Sequence, residues 1–179
     1  MQNVKIIADS TCDLGKELVR RYDVEVAPLY VTLGDDTYRD SVDLTAEEVL
    51  AYCERTKDTP KTAATSVGDL AEIFRPYAEA GRDIVFLGIS ASMSAEVQNA
   101  RLAAEEFPGR VIRCVDTKNL STGGGLLVIE AAERAAAGMG ADRIADEVEA
   151  LRPKVSASFV LDTLTYLHRG GRCSGLTAL

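Results

Sequence analysis

Three serines stand within five positions of the segment GISASMSAEVQ: Ser90, Ser92 and Ser94. The segment follows an apolar run, DIVFL, and GISAS is close to the G-x-S-x-G of a hydrolase nucleophile elbow but lacks its second glycine. A serine nucleophile also needs a base to take its proton. The only histidine, His168, lies in the last segment beside RGGR. The pattern favours a hydroxyl cluster that binds a ligand over a serine that attacks one, and a serine hydrolase stays as the alternative.

Short polar groups recur where strand-like runs end. VKIIAD ends in Asp9-Ser10-Thr11, DIVFLGI in Ser90-Ala91-Ser92, RVIRCVD in Asp116-Thr117 and SASFVLD in Asp162-Thr163. In an open parallel α/β sheet, ligands bind outside the carboxyl ends of the strands. Four such endings predict one polar edge. Ser, Thr and Asp are also the usual helix N-caps, which accounts for any one of them taken singly. Asp9, Asp116 and Asp162 carry the hard oxygens that suit Mg²⁺ and phosphoryl transfer, so an Mg-dependent phosphotransferase is a further alternative. Three aspartates on separate strands are no metal signature, however, and no metal site is predicted.

Two other stretches present groups to a ligand. Gly123-Gly124-Gly125 opens a helix, where backbone amides bind anions or glycine lets helix and strand pack closely. It is neither a Walker loop nor GxGxxG. In TPKTAATSVGDL, Ser66 and Asp69 form a capping-box pattern, whereas Thr62 has no such explanation and is the more informative hydroxyl. Thr62 paired with a serine of the opening stretch would hold a carboxylate through neutral donors.

The elements that must position these groups alternate. Strand-like runs start at Val4, Val24, Asp83, Arg110 and Ser156. The runs around Ile84, Val111 and Phe159 are apolar with little alternation, as in strands covered on both faces. Helical patterns lie between them: TAEEVLAYCERTK with a Thr45/Glu48 capping box, SVGDLAEIFRPYAEAG, SAEVQNARLAAEEF, GLLVIEAAERAAAG and ADRIADEVEALR. The expected fold is α/β, a mostly parallel sheet with helices on both faces. GDD at Gly34 to Asp36 reads as a hairpin turn that interrupts the alternation.

The chain has 179 residues, a net charge of −8, 46% hydrophobic residues and no Trp. The acidic balance argues against nucleic acid or an anionic membrane as partner, since both need clustered Lys and Arg. No apolar run approaches the ~20 residues of a membrane span. The start of the chain is too short and polar for a signal peptide. The four cysteines are at least forty positions apart, so no CxxC metal or redox pair exists. These features predict a cytoplasmic protein with reduced cysteines. The last residues, LHRGGRCSGLTAL, read as an interrupted chain.

Taken in order, the motifs resemble the DegV family of bacterial fatty-acid-binding proteins, which includes the binding subunits of fatty-acid kinase. ADSTCDL is similar to the family's T-D-S-T-x-D-L, VAPLYVTLGDDTYRD to V-x-P-L-x-V-x-x-x-G-x-x-Y-x-D, PKTAATS to P-K-T-S-Q-P-S, and GISASMSAEVQNA to I-S-S-x-L-S-G-T-Y-Q-S-A. VDTKNLSTGGGLLV and FVLDTLTYLHRGGRCS also fit. Two substitutions depart from the pattern: Ala63-Ala64 for Ser-Gln, and Ala95-Glu96 for Gly-Thr. The resemblance implies two α/β domains with a long-chain fatty acid buried between them. Residues 1–165 would form the N-terminal lipid-binding domain and 166–179 the start of a second, truncated one. It further implies that Thr62 and Ser94 hold the carboxylate, and that Asp9, Ser10, Thr11 and Ser90 line the head-group region. Arg169 and Arg172 would face a fatty-acid kinase catalytic subunit. That kinase would form the acyl phosphate, while this chain is no enzyme and needs no cofactor beyond the lipid itself.

Overall fold

A computed structural model describes residues 3–161 and 164–171. In chain order the elements are β1 (Val4–Asp9), a 3-10 turn (Ser10–Cys12), α1 (Lys16–Arg21), β2 (Val24–Ala27), β3 (Tyr30–Leu33), β4 (Asp36–Arg39), α2 (Ala46–Thr56), β5 (Lys61–Ala63), α3 (Val67–Glu79), β6 (Asp83–Gly88), α4 (Glu96–Ala104), β7 (Ile112–Asp116), α5 (Thr122–Ala136), α6 (Ala141–Leu151) and α7 (Thr165–Arg169). They fall into two compact units, Met1–Ala27 with Ala64–Ala157 and Pro28–Ala63 with Ser158–Leu179.

The first unit is a four-stranded sheet in the order β2-β1-β6-β7, parallel throughout. Successive side chains of a strand point to opposite faces, and here each face has its own helices. Val4, Ile6 and Ala8 of β1, with Val85, Leu87 and Val115, pack against Leu127 and Val128 of α5 and Ile144 and Val148 of α6. Ile7, Ile84 and Phe86 pack on the other side against Leu70 and Phe74 of α3 and Ala100 and Ala103 of α4. Each fully buried Leu, Ile or Phe contributes roughly 1.5–3 kcal/mol. The expected parallel sheet with helices on both faces is therefore what forms.

The strand order also contains a reversal point. The chain steps from β1 outward to β2, then returns to β6 on the other side of β1 and continues to β7. The winding reverses between β1 and β6, and a crevice at the carboxyl ends beside such a reversal is the usual ligand position.

The second unit contains the antiparallel sheet β4-β3-β5, on which α2 lies: Val31, Leu33 and Leu44 are buried with Tyr38, Val49 and Tyr52 around them. Gly34, at φ +63, occupies the first of the two loop positions between β3 and β4, the position a II′ hairpin gives to glycine. Thr45 and Glu48 form the expected capping box at the start of α2.

Two sequence expectations are corrected. The run from Val24 is two strands in different sheets, because Pro28 cannot donate to a ladder and ends β2. The run from Ser156 forms no strand over its described residues: Phe159, Val160 and Leu161 are 66%, 96% and 43% exposed, without the ladder partner or helical cover an apolar strand needs. The Asp162-Thr163 ending expected there lies outside the described residues.

Candidate functional site at the strand ends

β1 delivers Asp9 to the reversal point, buried at 1% exposure. The Asp9 carboxylate is a hub. One oxygen accepts the Thr11 N–H at 3.0 Å and the Thr11 hydroxyl at 2.6 Å, and the other accepts the Ile89 N–H at 2.6 Å. The last bond ties the end of β1 to the residue after β6. Burial lifts the Asp9 carboxyl above its ordinary range, while the bonds from Thr11 and Ile89 pull the other way. Ser10 is buried beside it.

After β6 the chain makes a tight hydroxyl turn. Ser90 is buried, takes the Asn119 carbonyl on its N–H, and its hydroxyl meets that of Ser92 at 2.9 Å. Ser94 donates its N–H to the Ser90 carbonyl, and its hydroxyl accepts the Glu96 N–H at 3.3 Å. Ser92 therefore pairs with Ser90 instead of capping α4, whose N-cap is Ala95. At the end of β7, Asp116 accepts the N–H groups of Ala91 and Lys118, and the buried Thr117 hydroxyl donates to the Gly88 carbonyl at 2.8 Å. Arg152 donates to the Asp116 carbonyl at 2.7 Å. A shallow cleft lined by Asp9, Thr11, Thr117, Asn119 and Gly124 among others opens on this edge.

The sequence reading missed one more acid. Glu96, first residue of α4, is fully buried. Its Oε2 accepts the Thr65 N–H at 2.8 Å, and its Oε1 has no hydrogen-bond partner. Asn99, one turn on, donates to the Thr65 carbonyl at 2.8 Å, so α4 holds the backbone of Thr65 on both sides. Burial pushes the Glu96 carboxyl up to about 7. The Thr65 bonds oppose the rise, and the negative charge of Asp9 adds to it. The signal in the sequence was the Ala95-Glu96 substitution itself: an acid stands where the resembled motif has a neutral hydroxyl.

The structure thus brings Asp9, Ser10, Thr11, Ser90 and Ser94 to one edge of the first unit, with Asp9, Thr11, Ser90 and Ser94 linked through Ile89 and the serine turn. Thr62 lies in the second unit, exposed, in register with Val31 of β3. Arg169 is exposed on α7 and donates to the Thr59 hydroxyl at 3.2 Å. Arg172 lies outside the described residues. The first unit holds no histidine, so its serines have no imidazole within their own unit. Asp9 and Asp116 use carboxylate oxygens on backbone N–H groups, and among the described residues no group of three His, Cys, Asp or Glu side chains is placed to hold a metal ion. Gly123 and Gly125 of α5 are packing residues: a Cβ on Gly125 would stand 2.6 Å from the Cys12 carbonyl oxygen, and one on Gly123 would meet the Asn119 side chain. Among the described residues no helix is long and apolar enough to cross a membrane.

Comparison with known proteins places this edge in context. Residues 3–179 match a family model described as uncharacterised protein, DegV family. A DegV domain-containing protein of Clostridium perfringens is 32% identical over 179 residues, 100% of this chain and 64% of that protein. A solved structure of a fatty-acid-binding DegV family protein from Thermus thermophilus superposes with a TM-score of 0.87 at 37% identity, covering 98% of this chain and 62% of that one. A stearic-acid-binding protein from Eubacterium ventriosum superposes with a TM-score of 0.83 at 31% identity, covering 97% of this chain and 61% of that one. The chain spans less than two thirds of the length of these relatives.

Proposed function

This chain belongs to the DegV family, and from that premise we propose that it binds a long-chain fatty acid and presents the carboxylate to a separate fatty-acid kinase. The observation that carries the reading is the likeness, at 37% and 31% identity over almost the whole chain, to two structures described as binding fatty acid and stearic acid. The chemistry of the edge agrees with a carrier. Ser and Thr hydroxyls and backbone N–H groups can satisfy a buried carboxylate, and a carrier needs no catalytic base. Burial of about fourteen methylenes supplies roughly 11 kcal/mol gross, at ~0.8 kcal/mol each, before the entropic cost of binding.

In this reading Thr62 and Ser94 donate to the carboxylate, while Asp9, Ser10, Thr11 and Ser90 shape its surroundings. Arg169 and Arg172 face the kinase, which supplies the nucleotide site; the bound carboxylate oxygen attacks the terminal phosphorus of ATP there and ADP leaves. The carrier works in the cytoplasm and is itself not catalytic. The test is to purify the full-length polypeptide, denature it and identify extracted lipid by mass spectrometry. A stoichiometric acyl chain is expected. Absence of lipid, with no uptake of added oleate or palmitate, would overturn the reading, and ester turnover abolished by Ser94→Ala would favour a hydrolase instead. Removing one donor also has a predicted size. A hydrogen bond to a charged group is worth about 1.5–3 kcal/mol, so Thr62→Val is expected to weaken oleate binding about tenfold or more in a titration. An unchanged dissociation constant would place the carboxylate elsewhere.

A further inference from the structure

The polar edge of the first unit carries two buried acids and little to balance them. Asp9 and Glu96 lie close enough for the charge of Asp9 to act on Glu96, and among the described residues neither has an ion-pair partner. Asp9 is satisfied by three donors. Glu96 is not: Oε1 is buried and unpartnered, and its own backbone N–H is on the Ser94 hydroxyl. We propose that this edge accepts an anionic head group only together with a proton, which Glu96 holds, so that loading is coupled to proton uptake. The inference rests on the fatty-acid reading above and on Ser94 standing at the head group.

The physical basis is charge crowding in a poorly solvated place. An ionised Glu96, an ionised Asp9 and a lipid carboxylate would put three negative charges around one serine turn, and like charges in low dielectric disfavour one another's ionised form. A protonated Glu96 removes one charge and gains an O–H donor. Its carboxyl, pushed up to about 7 by burial, sits where a second anion tips it to the protonated form at neutral pH.

Most other charged groups on the elements around α4 have partners of their own. On α3, Asp69 bonds Ser66, and Glu72 pairs with Arg75. Asp83 of β6 accepts from Val111. On β7, Arg113 pairs with Asp142 and Asp146, and Asp116 binds backbone N–H groups. Arg101 of α4 and Arg113 act on the Cys114 thiol, which burial nevertheless pushes up to about 12. Asp9 is the charge that bears on Glu96.

The experiment is calorimetric titration of the full-length polypeptide from about pH 6 to about pH 8.5, in two buffers of different ionisation enthalpy, whose difference counts protons taken up. Two probes separate protein from ligand titration: oleate, and hexadecane sulfonate, which stays anionic throughout. Wild type is expected to take up close to one proton per sulfonate at the alkaline end and to lose about tenfold or more in affinity across the range. Glu96→Gln should bind the sulfonate with an affinity that no longer depends on pH and take up no proton. Glu96→Thr, the residue type of the resembled motif, should behave like Glu96→Gln and covers the case in which the amide does not fold. Sulfonate binding by wild type without proton uptake overturns the inference and leaves the fatty-acid reading standing. Failure of both probes to bind at every pH overturns that reading, and the inference with it.

Discussion

Gly125→Ala is expected to destabilise the protein by about 2–3 kcal/mol, the cost of forcing a methyl into a closed contact. The new Cβ would lie 2.6 Å from the Cys12 carbonyl oxygen and 3.2 Å from Leu14 Cδ2. A backbone oxygen cannot rotate aside as a side chain can. Cys12 belongs to the 3-10 turn whose entry Asp9 caps and whose exit closes with the Asp13 N–H on the Ser10 carbonyl, so the turn resists displacement. The alternative is withdrawal of α5, which would open the packing of Leu127 and Val128 on β1. In a chain of this size about 2–4 °C of melting temperature accompanies each kcal/mol, so a fall of about 5–10 °C is expected by thermal unfolding. Gly109→Ala is the control, since no atom lies within 4 Å of its added Cβ, and should stay within about 0.5 kcal/mol. Equal behaviour of the two variants would remove the packing role assigned to the glycines.

That result bears on what could be read from the chain alone. The strand ends were legible because each largely apolar run stops at a short polar group, and Asp9, Ser90 and Asp116 are those groups. Hydrogen bonding separates the hydroxyls that cap a helix from those that do not, which residue type cannot do. Ser66 caps α3, whereas Ser92, of the same type and also ahead of a helix, turns to Ser90. The three glycines were ambiguous between an anion loop and close packing, and only the distance to the Cys12 oxygen separates the two. The strand expected from Ser156 is absent over its described residues, because apolar content signals burial without supplying the partner that buries it. Glu96 was hidden for the opposite reason. An acid in the first turn of a helix reads as an exposed partner of the helix dipole, yet α4 begins at Glu96 itself, next to the inward-facing Val97 and Ala100, and the packed face takes the carboxyl in.

The burial of Glu96 has a consequence for stability that needs no ligand. Its carboxyl rises from an ordinary 4.5 in the unfolded chain to about 7 in the folded one, so between these values the native state holds a proton that the unfolded state has released. Where the native state binds more protons, stability falls as pH rises. The contribution is fully present below about pH 4.5 and is lost by the time pH passes about 7, amounting to about 3 kcal/mol at 1.36 kcal/mol per pH unit. Asp9, also raised by burial, acts in the same direction. Asp43, lowered to about 2 by Arg39, contributes stability above the ordinary carboxylate range that is lost on acidification, so the raw profile mixes both signs. Comparison with Glu96→Gln isolates the contribution of Glu96. In urea unfolding at about pH 5 and about pH 8, wild type should lose up to about 3 kcal/mol more than the variant over that interval. The amide keeps an oxygen for the Thr65 N–H and cannot ionise, so its own profile should be correspondingly flatter. Parallel profiles for the two proteins would mean that Glu96 stays ionised in the folded state and that its unpartnered oxygen is satisfied by water. In that event the edge presents two negative charges to any ligand, and a neutral or cationic head group would suit it better than a carboxylate.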